Sequence, residues 1–566
     1  MTSQLPPAND DASSWQTKTA NKRAAEYEKI PKEWRIDQKY LGDETSDRNV
    51  LSVPKECGIL SQPELDITEN YTATSLAKAV QSGSLKSVDV ARAFCKRAAV
   101  AQQLVNCLTE TMFDDALKRG EYLDQYLAEH GKPLGPLHGV PVSIKDPFSY
   151  VGVASTIGFT SFLDNPLPTE HAPLVKILLE LGAILYCKTN IPQTMMTGDS
   201  HNYVFGRVLN PHKLILGAGG SSGGEGALVA MRGSILGIGT DIGGSIRIPA
   251  ICCGTYGFKP STHRVPYGGQ TSPAKAGSPG FPPVAGPLAT CFDDLEFLVR
   301  HVIDTMPWDK DSSALAIPWR AGVAAGRPTK VRVGFLQSDP DYPIHPPVAR
   351  ALEESAKKLT DAGFEVVALN MFPSLKAGME LASDYYSMDN TKLFLDFVHR
   401  SGEPIIPSLQ KTMDLVNKKP KYSLEEVFDV NTAKMGYKAT WNNLWVENKL
   451  DVILCPGAAN TAVLHDNYGA PPYTAVWNML EYPGIIIPVG KADVKVDTED
   501  LATHDPNRAW QCEAPRDWAA VFIADQTPDN ADDVHGAPTT IQLIARAYQD
   551  EELVAASAMI DACLKK

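Results

Sequence analysis

Basic residues are scarce in this 566-residue sequence relative to acidic ones. Its 53 lysines and arginines compare with 67 aspartates and glutamates, and the formal net charge is −14 at pH 7. Proteins that bind nucleic acid through its phosphates normally carry a basic stripe or patch. The sequence contains no such stripe, and we therefore predict that nucleic acid is not a partner.

Long apolar runs are also missing. A membrane-spanning helix needs roughly 20 apolar residues in a row, whereas the apolar runs here, such as Gly484 to Gly490, have the length of strands. The first residues, MTSQLPPANDDASS, are polar and lack the apolar centre of a secretory signal. These absences predict a protein without a membrane anchor, and we expect it in the cytoplasm.

Patterns typical of metal sites and disulfide frameworks are absent too. The ten cysteines are scattered without a CxxC spacing, and no HExxH motif occurs. Zinc sites usually require cysteines and histidines at such short spacings. We therefore expect a reduced protein that needs neither a metal ion nor an organic cofactor.

The sequence does contain amphipathic helices that alternate with short apolar strands. A helix is predicted from Pro173 to Gly182, followed by the buried strand AILYCK, and the same helix–glycine–strand order returns over 348–369. Further strands are predicted at 140–146, 331–335, 452–455, 484–488 and 540–544, and a last helix at 551–563. This alternation predicts a layered α/β fold.

Composition separates an N-terminal arm from the main domain. Residues 1–60 form a charged arm with a helix predicted over 18–27, and residues 61–566 form the main domain. Within it, 385–447 is helix-prone with aromatic residues, and 491–535 is polar and rich in turn residues, so both have the character of insertions. Each is compatible with a lid over a site or with a surface excursion, and the sequence leaves both open.

The most informative stretch is LGAGGSSGGEGALVAMRGSILGIGTDIGGSIRI, residues 216–248. Glycines crowd around Ser221 and Ser222 and again before Ser245, with a helix and the strand ILGIG predicted between them. Glycine lets the backbone bend sharply and leaves N–H groups open to a ligand. Two glycine-rich turns at the two ends of one helix–strand unit can bring two serine hydroxyls together.

Other glycine motifs fit this stretch less well. The P-loop pattern GxxxxGK(S/T) is absent, and the dinucleotide pattern GxGxxG fails at Ile242. Residues 220–224 match the hydrolase elbow GxSxG, which would make Ser222 the nucleophile and would need a later histidine. The candidates for that histidine are His301, His465, His504 and His535. A purely structural glycine loop is the remaining alternative.

The run GGSSGGEGALVAMRGSILGIGTDIGGSIRIPA closely resembles the signature of the amidase signature family. The resemblance extends through PLHGVPVSIKD, KTNIPQ and GTYGFKPS, and covers about residues 60–566. Within the family, the sequence looks most like the fungal general amidases of the acetamidase type. The resemblance implies an α/β fold in which a mixed central β-sheet is sandwiched between helices.

The family uses a Ser–cis-Ser–Lys triad, and the resemblance assigns it by motif. It implies Ser245 as the nucleophile, Ser221 as the bridging serine after a cis peptide bond, and Lys145 as the base. It also implies an oxyanion hole from the amides of Ile242, Gly243, Gly244 and Ser245, a backbone contact of Met195 with the substrate, and support of the lysine by Ser222.

This chemistry requires a neutral lysine. The ordinary lysine pKa is about 10.4, and burial lowers it because desolvation penalises the ammonium form. In the strand VPVSIKD, Lys145 projects from the face opposite Val142 and Ile144, which suits burial beside a site. We therefore expect Lys145 to lie in a dry cavity.

Several neighbouring residues receive structural predictions. Asp241 and Arg247 are predicted to pair and brace the nucleophile loop, Ser245 to cap a helix, and Glu225 to lie in the first turn of its helix. His138 is predicted to be a turn residue. Pocket walls and core packing are equally compatible with Met195, Met196, Tyr473, Trp477 and Tyr482.

The resemblance implies an amidohydrolase of the EC 3.5.1.4 type, which cleaves a linear carboxylic acid amide to carboxylate and ammonia or amine through an acyl-enzyme. Two alternatives use related chemistry. One is an acyl transferase or amide synthase, and the other is an amidotransferase component similar to the amidase-like chain of glutaminyl-tRNA amidotransferase, which would need partner chains. The expected partner is a small-molecule amide. A homodimer is compatible with the sequence, which does not specify the oligomeric state.

Overall fold

The computed structural model describes residues 14–566 except for 276, 278–279, 324–330, 389–391, 417–421 and 498–531. Its centre is a mixed β-sheet of eleven strands flanked by helices. The predicted α/β class with a mixed central sheet is therefore confirmed.

The strands are β1 (Leu108–Thr111), β2 (Pro141–Lys145), β3 (Ile184–Thr189), β4 (His201–Asn202), β5 (Gly206–Arg207), β6 (Leu236–Asp241), β7 (Tyr256–Lys259), β8 (Val284–Ala289), β9 (Arg332–Phe335), β10 (Glu365–Ala368), β11 (Val452–Cys455), β12 (Gly484–Lys491) and β13 (Pro538–Ile544). β4 and β5 form a separate hairpin, and the others lie in the order β1-β3-β2-β6-β8-β7-β12-β13-β11-β9-β10. β2 runs parallel to β3 and β6, and β9 runs parallel to β10 and β11. The remaining pairs are antiparallel.

The α-helices are α1 (Trp15–Glu28), α2 (Val53–Glu56), α3 (Gln62–Asn70), α4 (Ala73–Gln81), α5 (Ser87–Val105), α6 (Phe113–His130), α7 (Pro173–Glu180), α8 (Gly223–Ala230), α9 (Arg247–Cys253), α10 (Asp293–Asp304), α11 (Pro346–Asp361), α12 (Leu375–Ser387), α13 (Lys392–Ser401), α14 (Pro407–Val416), α15 (Leu424–Asn448), α16 (Pro472–Met479) and α17 (Asp550–Leu564).

The unit α7–β3 illustrates why the sequence pattern predicts these elements. Leu174, Val175 and Leu178 are buried along one face of α7, and every residue of β3 is buried. Gly182 joins them at φ +93°, where a Cβ would approach the backbone of His138. Glycine suits this backbone conformation because it lacks a Cβ. The predicted helix, glycine and strand are all confirmed here.

The parallel pair β2–β6 determines where the site forms. Ile144 of β2 lies beside Ile238 of β6, and the carboxyl ends of parallel strands meet at the same sheet edge. Lys145 ends β2, and Thr240 and Asp241 end β6. Side chains that are about 95 positions apart in the chain therefore meet at that edge.

The N-terminal arm contains α1 where a helix was predicted over 18–27, and its described part packs against the main domain. Trp34, Val50 and Val53 are buried in the hydrophobic cluster that surrounds the sheet. The guanidinium of Arg23 donates to the carbonyl of Tyr203 at 2.8 Å. The arm from residue 14 onward thus contributes to the main core; residues 1–13 lie outside the described residues.

The predicted insertion 385–447 comprises the end of α12 and the helices α13, α14 and most of α15, apart from residues that lie outside the described ones. It packs on a second hydrophobic cluster that contains Trp441, Trp445, Tyr473, Trp477 and Tyr482. Of the two alternatives, pocket wall and core packing, core packing therefore applies to Tyr473, Trp477 and Tyr482. Most of the predicted insertion 491–535, including His504, lies outside the described residues.

Within the described residues, no helix is long and apolar enough to cross a membrane. The same part of the chain holds no cluster of histidine, cysteine and carboxylate side chains suited to a metal ion. Its nine cysteines are all free thiols.

Candidate active site

Lys145 lies in a fully buried position at the end of β2. Its Nζ donates to Ser221 Oγ at 2.7 Å and to Thr240 Oγ1 at 2.8 Å. Burial lowers the pKa of the Lys145 amine to about 7, although the carboxyl groups of Asp241, Glu225 and Asp146 oppose the shift. The expected buried lysine is present, and around pH 7 a large fraction of it is neutral.

Ser221 belongs to the glycine-rich turn that precedes α8. The peptide bond between Gly220 and Ser221 is cis, as the resemblance implied. The next residue, Ser222, is buried, and its hydroxyl lies 3.3 Å from both the carbonyl oxygen and the amide nitrogen of Thr240. Ser222 thus links this turn to Thr240 near the end of β6. Thr240 is also the second residue whose hydroxyl accepts a hydrogen bond from the Lys145 amine.

Ser245 lies on the opposite glycine-rich turn and is partly exposed to a cavity that Ser221 also lines. The Ser222 N–H donates to the Ser245 carbonyl at 3.2 Å, so the two turns touch. Among the described residues, no hydrogen bond joins the hydroxyls of Ser221 and Ser245. Ser245 thus lines the cavity, and its hydroxyl has no hydrogen-bond partner within the described chain.

The turn from Asp241 to Arg247 is organised by one carboxylate. Asp241 accepts the backbone N–H groups of Gly244 at 2.8 Å and Ile246 at 3.1 Å. The Gly244 amide, one of the four predicted oxyanion donors, is therefore already engaged. The N–H groups of Ile242, Gly243 and Ser245 have no acceptor within the described chain, so the set of free donors narrows to these three.

The predicted pairing of Asp241 with Arg247 is confirmed. Both side chains are fully buried, and the guanidinium donates to both carboxylate oxygens at 3.0 Å. Asn478 also donates to Asp241, and Gln542 accepts from Arg247. Burial by itself would raise the pKa of the Asp241 carboxyl, but Arg247 above all outweighs burial and lowers the pKa to about 2.

The predicted helix cap at Ser245 is wrong. Helix α9 begins at Arg247, with Ile246 in the capping position. The two residues after Gly244 instead belong to a turn that Asp241 holds. Gly244 itself has φ +130°, a conformation that glycine adopts readily, and this bend delays the start of the helix.

Glu225 lies in the first turn of α8 as predicted, but its environment differs from a solvent-exposed helix end. Its buried carboxyl accepts from Ser143 at 2.5 Å and from Thr189 at 3.0 Å. Burial raises its pKa to about 8, although both hydrogen bonds and Lys145 act in the opposite direction. Burial therefore favours the protonated form of Glu225 near neutral pH, which weakens the attraction of this carboxyl group for Lys145.

The motifs in the sequence did not indicate Ser143, Thr189 or Thr240 as parts of the site. Ser143 was recoverable, because strand alternation places it on the same face as Lys145. Thr189 and Thr240 end the neighbouring strands β3 and β6, so finding them required the order of the strands in the sheet.

Two adjoining cavities meet at Ser245. The larger has a volume of about 720 Å³ and also contains Ser221, Thr240 and Tyr267. The smaller, of about 130 Å³, is lined by Ile248, Tyr468 and Ala470 among others. Both share the lining residues Met195, Met196, Ile242, Ser245 and Tyr386.

Met195 and Met196 therefore line the cavities. Of the two alternatives given for them, pocket wall and core packing, the pocket wall applies. Met195 has φ +61° and follows Thr194 at φ +72°. A positive φ is unusual for residues other than glycine and often marks a functional segment. This backbone geometry directs the turn that contains Met195 to the cavity beside Ser245.

The hydrolase-elbow alternative finds little support in the geometry. Ser222, its nucleophile, is buried and its hydroxyl contacts the backbone of Thr240. His465 contacts the carbonyl of Leu214, His301 lies beside Asp304, and His535 lies beside Asp493. His138 forms part of the turn before β2, as predicted, and its ring accepts from the Leu134 N–H.

Comparison with known proteins identifies the family. A sequence profile of the amidase family matches residues 89–554. The chain belongs to the amidase family. Its relatives include an amidase from Gibberella moniliformis, 38% identical over 98% of this chain and 99% of that protein. An acetamidase from Aspergillus oryzae is 36% identical over 96% of this chain and 98% of the relative.

Solved structures of amidases share the fold. A fatty acid amide hydrolase superimposes with a TM-score of 0.88 at 31% identity, covering 98% of this chain and 95% of that one. A bacterial aryl acylamidase of the amidase signature family has a TM-score of 0.67 at 22% identity, over 87% of this chain and 96% of that one. The chain is thus a hydrolase of the amidase type, which acts on amides, and it has the amidase signature fold.

Proposed function

We propose that this amidase hydrolyses a linear carboxylic acid amide through an acyl-enzyme on Ser245, with Lys145 as base and Ser221 as the proton relay. The observation that supports this most is the buried Lys145 amine, hydrogen-bonded to Ser221 at 2.7 Å on the cavity that Ser245 lines. A serine hydroxyl needs such a base because it is a weak nucleophile. A lysine can act as that base only when it is neutral, and burial supplies this condition.

In the first half-reaction, Ser245 Oγ attacks the amide carbonyl carbon. Its proton passes to Ser221, and the Ser221 hydroxyl proton passes to Lys145. The N–H groups of Ile242, Gly243 and Ser245 stabilise the oxyanion. The C–N bond then breaks as the proton returns from Lys145 through Ser221 to the leaving amine or ammonia.

In the second half-reaction, water attacks the carbonyl carbon of the ester on Ser245. The water proton follows the same route to Lys145, and the bond between Ser245 Oγ and the acyl carbon breaks as Ser245 regains a proton. The products are the free enzyme and the carboxylic acid, which ionises to the carboxylate as its proton passes to water. Every proton that leaves one group is thus accepted by another, and the proposed cycle uses no metal or organic cofactor.

The small cavity favours a short acyl group. At about 130 Å³, with Met195, Ile248 and Ala470 in its lining, it suits an apolar acyl portion of a few carbon atoms. Relatives named acetamidase are 34–36% identical to this chain. We therefore propose activity of the EC 3.5.1.4 type on short aliphatic amides, exerted in the cytoplasm. A screen of short-chain, aromatic and long-chain amides tests the acyl preference.

The assignment of Ser245 is tested by substitution and by covalent labelling. Ser245→Ala should lower kcat by more than about 10⁴-fold, as removal of a nucleophile does in serine hydrolases, without a change in unfolding temperature. A fluorophosphonate probe should label Ser245 in the wild type. Ser272→Ala is the matched control, because Ser272 lines the same larger cavity without a contact to Lys145 or Ser221. Labelling of another serine, or activity retained by Ser245→Ala, would exclude the proposed nucleophile.

The two alternatives are separated by product analysis on the purified chain. An acyl transferase or amide synthase would give a new amide when an amine is added, at the expense of the carboxylate. An amidotransferase component would show full activity only with partner chains. We expect carboxylate as the main product and full activity from the chain by itself, whether it is a monomer or a homodimer.

A further inference from the structure

Tyr386 lies near the end of α12, within the predicted insertion and outside the glycine–serine signature. Its hydroxyl donates to the carbonyl oxygen of Ile242 at 2.7 Å, over a sequence separation of 144 residues. Its side chain lines both cavities that meet at Ser245. The insertion thus contacts the same backbone segment whose amides are the proposed oxyanion donors.

This hydrogen bond determines the direction of one particular N–H group. The Ile242 carbonyl and the Gly243 N–H belong to the same trans peptide unit, so they point in opposite directions. An anchored carbonyl therefore fixes the N–H as well. Within the described chain, Tyr386 is the sole hydrogen-bond partner of this peptide unit, because the Gly243 N–H has no protein acceptor.

The next peptide unit is held at both ends by other residues. Thr474 Oγ1 donates to the Gly243 carbonyl at 2.7 Å, and the Gly244 N–H donates to Asp241 at 2.8 Å. The unit that ends in the Gly243 N–H lacks such double support. Tyr386 therefore has a role at this position that Asp241 and Thr474 do not duplicate.

The contact between Tyr386 and the turn is close and well braced. A Cβ at position 243 would lie 2.9 Å from the Tyr386 hydroxyl oxygen, so a side chain there would displace the tyrosine hydroxyl. The tyrosine ring packs edge-on against Phe281, with 5.3 Å between the ring centroids. Glycines at 243 and 244 make this backbone flexible, and an external anchor limits that flexibility.

We propose that Tyr386 is a positioning residue that aims the Gly243 N–H at the oxyanion; this inference rests on the proposed function of the Ser245 site. An oxyanion donor acts more strongly on the transition state than on the ground state, so its loss lowers kcat more than it changes KM. Loss of a complete donor costs about 10²- to 10³-fold in kcat. Loss of its alignment should cost about tenfold.

The test compares Tyr386→Phe with Tyr437→Phe. Tyr437 is the matched control, because its hydroxyl also donates to a backbone carbonyl, that of Ser374, at 2.9 Å, and its side chain lines neither of the two cavities. We expect Tyr386→Phe to lower kcat about tenfold with KM within about twofold. Its affinity for a trifluoromethyl ketone, which forms a tetrahedral adduct, should fall in parallel. Tyr437→Phe should leave all three values unchanged.

A double-mutant cycle distinguishes the positioning of Gly243 by Tyr386 from a general structural effect of the substitution. Gly243→Ala places a methyl group against the Tyr386 hydroxyl, so it disturbs the same contact from the other side. If Tyr386 positions Gly243, the losses in kcat caused by Tyr386→Phe and Gly243→Ala should not add when combined. Additive losses, or a wild-type kcat in Tyr386→Phe, would overturn the inference. Activity retained by Ser245→Ala would instead overturn the proposed function.

Discussion

At the residue scale, the proposed mechanism depends on the protonation of Lys145. Burial penalises its ammonium form and lowers its pKa to about 7, against the attraction of nearby carboxyl groups. The same burial raises the pKa of Glu225 to about 8. Near pH 7, the protein interior therefore favours the protonated form of Glu225 and leaves part of the Lys145 population neutral. Neutral Lys145 can accept a proton.

The first prediction concerns the pH dependence of this lysine. Because the base must be neutral, kcat/KM should rise with pH through about 7. Lys145→Met should lower kcat/KM by about 10²- to 10⁴-fold, the usual contribution of a general base, and should abolish this rise. Steady-state rates from pH 5 to 9 provide the measurement. A wild-type rate that does not vary over this range would exclude a lysine base with this pKa.

At the element scale, the turn between β6 and α9 depends on one buried ion pair. Asp241 organises two backbone amides, and Arg247 neutralises its charge where neither side chain reaches solvent. A buried charge that loses its partner costs about 3–5 kcal/mol of stability. The pair therefore holds the turn in shape and also makes the fold dependent on it.

The second prediction is that Asp241→Asn lowers the free energy of unfolding by about 3–5 kcal/mol at pH 7. The folded pKa of about 2 lies below the usual aspartate value of about 3.9. The stability that ionised Asp241 contributes is therefore present above pH 4 and is lost as the pH falls from about 4 to 2. The difference between wild type and variant should shrink over the same range.

Denaturant unfolding of both proteins measures this difference. Asp361→Asn is the control, because Asp361 forms an exposed ion pair with Lys357 and such pairs contribute less than about 1 kcal/mol. Equal losses in Asp241→Asn and Asp361→Asn would contradict the role given to the buried pair.

At the scale of the whole molecule, the cavities lie between two hydrophobic clusters. One hydrophobic cluster surrounds the sheet, and a second joins α12, α15 and α16. A third, smaller cluster brings Phe159 and Ile191 together with Val398 of α13. Glu403, in the loop between α13 and α14, also attaches this helix pair to Thr160. Its buried carboxyl group accepts hydrogen bonds from the Thr160 N–H at 2.8 Å and from the Thr160 hydroxyl at 2.9 Å.

The third prediction is that this attachment weakens with rising pH. Burial raises the pKa of Glu403 to about 7, although hydrogen bonds from Thr160 and neighbouring residues oppose the shift. The unfolded value is about 4.3, so the protonated folded form is favoured. This contribution is fully present below about pH 4 and is lost as the pH rises through 7.

Hydrogen exchange of 393–413, corrected for the intrinsic effect of pH, measures the attachment. Amide protection in α13 and α14 should fall between about pH 4 and 7 in the wild type and then level off. In Glu403→Gln, which keeps a buried polar group of similar shape but does not titrate, protection should be independent of pH. Helix α11, which has no contact with Glu403, provides the internal reference. A pH-dependent loss of protection in Glu403→Gln equal to that of the wild type would assign the effect to another group.

The local elements were predictable where the pattern was strong. The strand at 452–455 has the predicted bounds, and α11 and α17 extend one or two residues beyond their predictions at each end. Strand β8, with the sequence VAGPLA, was not predicted, because glycine and proline mask its strand character. Helix α10 was not predicted either, although its apolar residues recur at helical spacing.

Short motifs and local periodicity were enough to predict the family and the sheet class, which are confirmed, and to suggest the three residues of the proposed triad, because each of these depends on single segments of the chain. The hydrogen bonds between the residues of the site, in contrast, were determined only by the tertiary structure. Thr240 reaches Lys145 only through the pairing of β2 with β6, and Tyr386 reaches Ile242 across 144 residues of chain. The Gly244 amide turned out to be engaged with Asp241 for the same reason. Hydrogen bonds and burial depend on distances in space, and motifs that describe single segments of chain do not contain those distances.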